Sequence, residues 1–249
     1  MEYVKTSPEV MNCLNEMTDL AEKILLRMHL SKNPEITPID FFLFFFQQRA
    51  VKIGRSISLL TENQLYQDAW AIARIATEGL YFIKKFELDP SLANKWNSFY
   101  ILSKYREEYD EHERKGKHGK EAAEKLLARF APEIVKNARD EFGDAFENRK
   151  KNPKWFGYRS VYDLVKDLAE KKVIDDEDYK MFYGTFSEAV HWTPLALIDA
   201  EMYLGAVIGK AFLFILEMST TVNSEFLFGF EHEIAHIQHN FIECMPQGK

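Results

Sequence analysis

Residues 69–83 read AWAIARIATEGLYFI, and among them only Arg74 and Glu78 carry charge. Polar and apolar side chains do not alternate here, so the stretch is not a half-buried strand. As an α-helix it is apolar around most of its circumference, which requires neighbours on several sides and places it at the centre of a bundle. Arg74 and Glu78 stand at i, i+4, about 40° apart on one face, and Gln67 and Tyr81 fall on the same stripe within about 60°. Arginine preceding glutamate is the less favourable order for stabilising a helix by itself, so the pair is explained by what it faces. Two readings stay open. One is a buried ion pair that fixes bundle register. The other is a pocket in which Arg74 binds an anion and Glu78 orients it or acts as base.

Helix-start signals recur along the chain. Ser7-Pro8-Glu9 and Thr37-Pro38-Ile39-Asp40 each place a hydroxyl N-cap before proline, with an acid in the first turn. The pattern predicts helices over 8–30, 38–62, 64–87, 91–115, 119–147 (interrupted at Pro132), 160–171, 176–192, 194–222 and 224–243. The 249 residues contain only 11 glycines and 8 prolines. So few chain breakers favour long elements over a sandwich or barrel of short strands. The expected fold is all-α, a bundle of about nine helices in one domain over 1–249, with a charged helical insertion over 111–159.

Two connections bound that insertion. Residues 111–120 (EHERKGKHGK) and 147–159 (ENRKKNPKWFGYR) are basic, and the second carries Trp155 and Phe156. They read either as a solvated charged face or as an arm that touches phosphate through Lys115, Lys117, Arg149, Lys150 and Lys151, with Trp155 stacking on bases. The run Asp40-Phe-Phe-Leu-Phe-Phe-Phe46 is apolar all round a helix, as in a packed core or at the centre of a homodimer interface.

The formal net charge is −7, which argues against broad nonspecific affinity for nucleic acid and leaves room for a local basic groove. Cys13 and Cys244 are the two cysteines, too few for a disulfide framework and not part of a CxxC pair. The first residues lack the basic-then-apolar order of a signal peptide. The longest apolar stretch, 194–222, is interrupted by Asp199, Glu201, Lys210 and Glu217, too costly for a membrane span. The expectation is a cytoplasmic protein that does not enter membranes.

A second chemistry-bearing stretch is 179–194, YKMFYGTFSEAVHWTP. Tyr183, Ser187 and His191 are spaced one turn apart, at the border of an apolar face formed by Phe182, Phe186 and Val190. His191 reads as a structural histidine or as an acid-base group. The combination of Arg74-x3-Glu78, a Trp155-led segment and Tyr183-x3-Ser187-x3-His191 resembles a family of uncharacterised bacterial all-helical proteins, over about residues 36–215. The resemblance implies a helical bundle that brings arginine, glutamate and histidine into one pocket, and it carries no activity. More distantly, the chain is similar to HEPN ribonucleases, which use an Arg and a His on one helix. It lacks their Arg-x4–6-His motif, and Arg114-x3-His118 is shorter and lies in a glycine-containing loop, so that comparison is an analogy of fold.

Finally, His232-Glu-Ile-Ala-His236 matches the zinc-hydrolase motif HExxH, and His239 follows on the same face. Leu227, Phe230, Ile234, Ile237 and Phe241 form the opposite, apolar face, so the imidazoles point to solvent or a partner. No cofactor is required by this reading, and a divalent metal on His232, Glu233, His236 and His239 is the alternative to plain surface histidines. Three functions follow. The first is a nucleic-acid-binding or nuclease-like phosphodiester-processing protein acting through Arg74, Glu78, Tyr183, Ser187 and His191. The others are a noncatalytic, dimeric helical scaffold and a zinc-dependent hydrolase.

Overall fold

The computed structural model describes residues 8–30, 37–148, 150–175, 179, 183 and 204–245. They form nine α-helices: α1 (Pro8–Leu30), α2 (Pro38–Glu62), α3 (Tyr66–Leu88), α4 (Leu92–Arg114), α5 (Gly119–Leu127), α6 (Pro132–Glu147), α7 (Val161–Glu170), α8 (Leu204–Phe226) and α9 (Glu231–Cys244). No strand occurs among the described residues, and the fold is all-α as expected.

The cap expected at Thr37 forms, while Ser7 lies outside the described residues. Thr37 N–H donates to Asp40 Oδ2 at 2.9 Å and Asp40 N–H donates to Thr37 Oγ1 at 3.1 Å, a reciprocal box that satisfies two orphan donors at the start of α2. Pro132 opens α6, so the charged stretch 119–147 splits at that residue. The α8–α9 boundary differs from expectation: α8 continues through Asn223 to Phe226, and the turn falls at 227–230. Asn223 is 1% exposed, and its side chain closes this turn by donating to Glu231 Oε1 and accepting from Phe230 N–H, both at 2.9 Å. Leu227 takes a left-handed φ of 53° and is exposed, so it drops out of the apolar face expected for the last helix.

The chain divides into two compact units. The first comprises 1–35, 43–85 and 161–249. In it α1, α8 and α9 pack on one another. Gln47 on α2, fully buried, donates to the Ala21 carbonyl at 3.0 Å on α1 and to Ser219 Oγ at 3.3 Å on α8. Gly54 permits the close approach of α2: a Cβ there would lie 2.1 Å from Thr18 Oγ1. α3 is fixed along its length by Gly79 against the Phe214 ring, by the Lys84–Glu217 ion pair at 2.7 Å and by Lys85–Asp167 at 3.1 Å.

Among the described helices, α8 is long and apolar enough to cross a membrane, with a mean hydropathy of 1.4, and 67% of its most apolar window is buried inside the protein. Lys210, in the middle of α8, is also buried, at 6% exposed.

The second unit comprises 36–42 and 86–160 and contains the basic connections. α4 packs on α5 and α6 around Ile101, Leu102, Tyr105, Leu127, Phe142 and Phe146. Arg106 Nη2 donates to the carbonyls of Ala145 at 2.8 Å and Lys151 at 2.6 Å, tying the end of α6 to the connection after it. Phe42 stacks on Phe86 at 4.9 Å and meets Trp96 and Trp155 edge-on. Phe42 of the phenylalanine run is thus a core residue of this unit; in the first unit Leu43 is fully buried, while Phe44, Phe45 and Phe46 are half-buried.

Candidate functional site

The buried face of α3 presents Arg74 and Glu78 to Tyr183, which lies more than a hundred residues further along the chain. Arg74 Nη2 donates to the Tyr183 hydroxyl at 2.8 Å, and that hydroxyl donates to Glu78 Oε1 at 2.7 Å. Arg74 Nε stands 3.4 Å from the same carboxylate oxygen, and the guanidinium carbon sits 4.9 Å from the Tyr183 ring centroid. One phenol therefore accepts from a cation, donates to an anion and offers its π face to the cation. Hydrogen bonds to charged groups contribute about 1.5–3 kcal/mol each, and a cation–π contact about 0.5–2 kcal/mol.

The cluster is not sealed. The Arg74 and Glu78 side chains keep 26% and 28% of their surface exposed, whereas Tyr183 keeps 8%. Arg74 Nε is buried and, beyond its long ion-pair contact with Glu78 Oε1, makes no hydrogen bond among the described residues. A buried, unsatisfied donor carries a desolvation cost of about 1–3 kcal/mol, so the position favours an incoming acceptor.

Burial pushes the Tyr183 phenol up to about 12; its bond to Glu78 adds to the rise and its bond from Arg74 opposes it. At neutral pH the group is a protonated phenol, which relays hydrogen bonding and does not act as a base.

The tyrosine continues outward as a ladder. Tyr183 stacks on Tyr179 with ring centroids 4.8 Å apart, and Tyr179 meets Tyr162 of α7 at 5.4 Å. Tyr162 is 49% exposed, so three aromatic rings lead from solvent to the guanidinium. Tyr179 and Tyr183 both have wide-turn, π-helical backbone, a feature frequent at functional sites. Sequence reasoning missed Tyr162 and Tyr179. The only available signal was the i, i+4 spacing of Tyr179 and Tyr183, which puts two rings on one face.

Ser187, His191 and Arg149 lie outside the described residues. Gln67 and Tyr81 share α3 with the pair, and Tyr81 is fully buried. The basic residues belong to the second unit. Lys115 pairs with Glu111, Lys151 pairs with Asp144, and Lys117 and Lys150 are exposed. Exposed pairs of this kind are worth about 0–1 kcal/mol and open readily. Trp155 is 9% exposed and packs edge-on against Phe42 at 6.2 Å and Phe156 at 5.4 Å, so its indole is a core group and not a free stacking surface. A basic, glycine-containing neighbourhood suggested exposure, and the aromatic cluster overrides it.

On α9, His232, Glu233, His236 and His239 are exposed, while Ile234, Ile237 and Phe241 are buried and Phe241 stacks on Phe212 at 3.7 Å. Among the described residues, no three His, Cys, Asp or Glu side chains gather where a metal ion could be held.

A model for a family of unknown function (DUF5677) matches residues 40–205, and the chain belongs to that family. The match takes in Arg74, Glu78, Tyr162, Tyr179 and Tyr183. No curated protein and no solved structure matches the chain.

Proposed function

We propose that this member of the family binds single-stranded nucleic acid at the Arg74–Tyr183–Glu78 cluster, and that His191 gives the site its phosphodiester-processing chemistry. The observation that carries the reading is the buried Arg74 Nε, which makes no hydrogen bond among the described residues, at the inner end of a tyrosine ladder whose outer ring is exposed. A phosphodiester supplies charged acceptor oxygens, and arginine donors hold them more strongly than neutral donors do. Stacked aromatic rings accept bases without regard to sequence, at about 1–3 kcal/mol per base. Glu78 does not meet the phosphate in this scheme. It fixes the Tyr183 proton, and through it the orientation of the guanidinium.

Fluorescence anisotropy with a labelled single-stranded oligonucleotide at low salt tests the reading. Native protein should bind. Arg74→Ala and Tyr162→Ala should each weaken binding about tenfold or more, a loss of about 1.4 kcal/mol. His191→Ala should abolish cleavage and leave binding intact. Equal affinity in native protein, Arg74→Ala and Tyr162→Ala would end the proposal.

A second reading, a noncatalytic scaffold, is favoured by the closed geometry at Tyr183, whose hydroxyl already has both a donor and an acceptor. On that reading the cluster is a register lock between α3 and the segment carrying Tyr183.

A further inference from the structure

The chain's two cysteines stand near opposite ends of the sequence, yet they share one interface. Cys13 lies on α1 and Cys244 is the last residue of α9, and these helices pack on each other. On these two packed helices the thiols are near neighbours, and Cys244 helps to hold the Cys13 thiol in its protonated form. Cys13 is buried at 5% exposed, whereas Cys244 is half-buried, and both are free thiols. Two cysteines that meet with unequal access to solvent have the arrangement of an attacking and a resolving sulfur.

We propose that Cys13 and Cys244 form a modification site, a dithiol that hydrogen peroxide oxidises to a disulfide bridging α1 and α9. The more accessible Cys244 loses its proton, and its thiolate sulfur attacks the peroxide O–O bond. An S–O bond forms, the O–O bond breaks, and hydroxide leaves, taking up a proton to become water. The resulting sulfenic acid is attacked by the Cys13 sulfur: the S–S bond forms, the S–O bond breaks, and the hydroxyl departs as water with the Cys13 proton. Overall, two thiols give up two electrons and two hydrogens, and one peroxide becomes two waters.

Burial and the neighbouring Cys244 hold the Cys13 thiol up to about 11, so it stays protonated at neutral pH and is not the first sulfur oxidised. The bridge would close a loop spanning nearly the whole chain, the case in which a cross-link restricts the unfolded ensemble most. It would also pin α9, the element that carries the exposed histidines.

The test uses full-length reduced protein treated with hydrogen peroxide, then denatured, alkylated and analysed by intact mass and peptide mapping. The expected result is a monomer lighter by two hydrogens, with both cysteines protected from alkylation and a peptide linking 13 to 244. Its unfolding temperature should rise by several degrees and fall back on adding dithiothreitol. Cys244→Ser, a change at a half-exposed position, should show neither the linked peptide nor the temperature shift. Two free, alkylatable thiols after peroxide treatment would overturn the proposal. So would over-oxidation of Cys244 without linkage, or linkage only between two chains.

Discussion

Tyr183 donates its hydroxyl proton to Glu78 Oε1 across 2.7 Å, joining residues 105 positions apart in sequence. The Tyr183 hydroxyl oxygen accepts from Arg74 Nη2, so the i, i+4 pair on α3 is bridged by a phenol as well as by direct charge contact. This arrangement accounts for the unfavourable Arg-before-Glu order: the two side chains are set by Tyr183 and not by helix propensity.

The bridge makes the three residues energetically coupled. Arg74→Met and Glu78→Leu should each destabilise by about 1–3 kcal/mol, because each leaves a hydrogen-bonding or charged partner unmatched. The double variant should cost less than the sum of the two, with a coupling of about 0.5–3 kcal/mol. Urea unfolding of the native protein and the three variants measures it, and strict additivity would contradict the bridged geometry.

Stability should fall at high pH. Tyr183 has a folded-state pKa of about 12 against an ordinary 10.0, so folding favours its protonated form. That contribution is fully present below pH 10 and is lost as the pH rises towards 12, amounting to about 3 kcal/mol. Cys13, raised from 9.0 to about 11, acts in the same sense from pH 9 upward. Unfolding curves at about pH 8 and about pH 11 should therefore diverge. Tyr183→Phe should lose the part between 10 and 12; an unchanged pH slope in that variant would contradict the assignment.

Two helical glycines should respond oppositely to the same substitution. Gly54→Ala places a methyl 2.1 Å from Thr18 Oγ1 and 2.9 Å from the Ile215 side chain, and should cost about 1–3 kcal/mol. At Gly143 in α6 a Cβ meets nothing within 4 Å, so Gly143→Ala should stabilise by about 0.5–1 kcal/mol. Paired thermal melts decide this.

What the sequence revealed was what is local. The Thr37–Asp40 box, the start at Pro8 and the break at Pro132 are set by residues within one turn of each other, and all are found. The i, i+4 placement of Arg74 and Glu78 was legible for the same reason. Their meeting with Tyr183 was only an expectation, since no spacing rule joins residues on separate helices. The Tyr162–Tyr179 contact, the meeting of Cys13 with Cys244 and the burial of Trp155 depend entirely on tertiary packing. Asn223 shows the converse: expected between two helices, it is retained inside α8, with its amide bonded to the turn that follows.

Arg74 can be watched directly. In protein with 15N-labelled arginine, the Arg74 Nε–Hε resonance, assigned by its absence in Arg74→Lys, is followed while a short single-stranded oligonucleotide is added. The account predicts a saturable shift of this resonance that tracks the binding curve and disappears with Tyr162→Ala. An oligonucleotide that binds to saturation while the resonance stays unmoved would show that the guanidinium is a structural group and that the nucleic acid lies elsewhere.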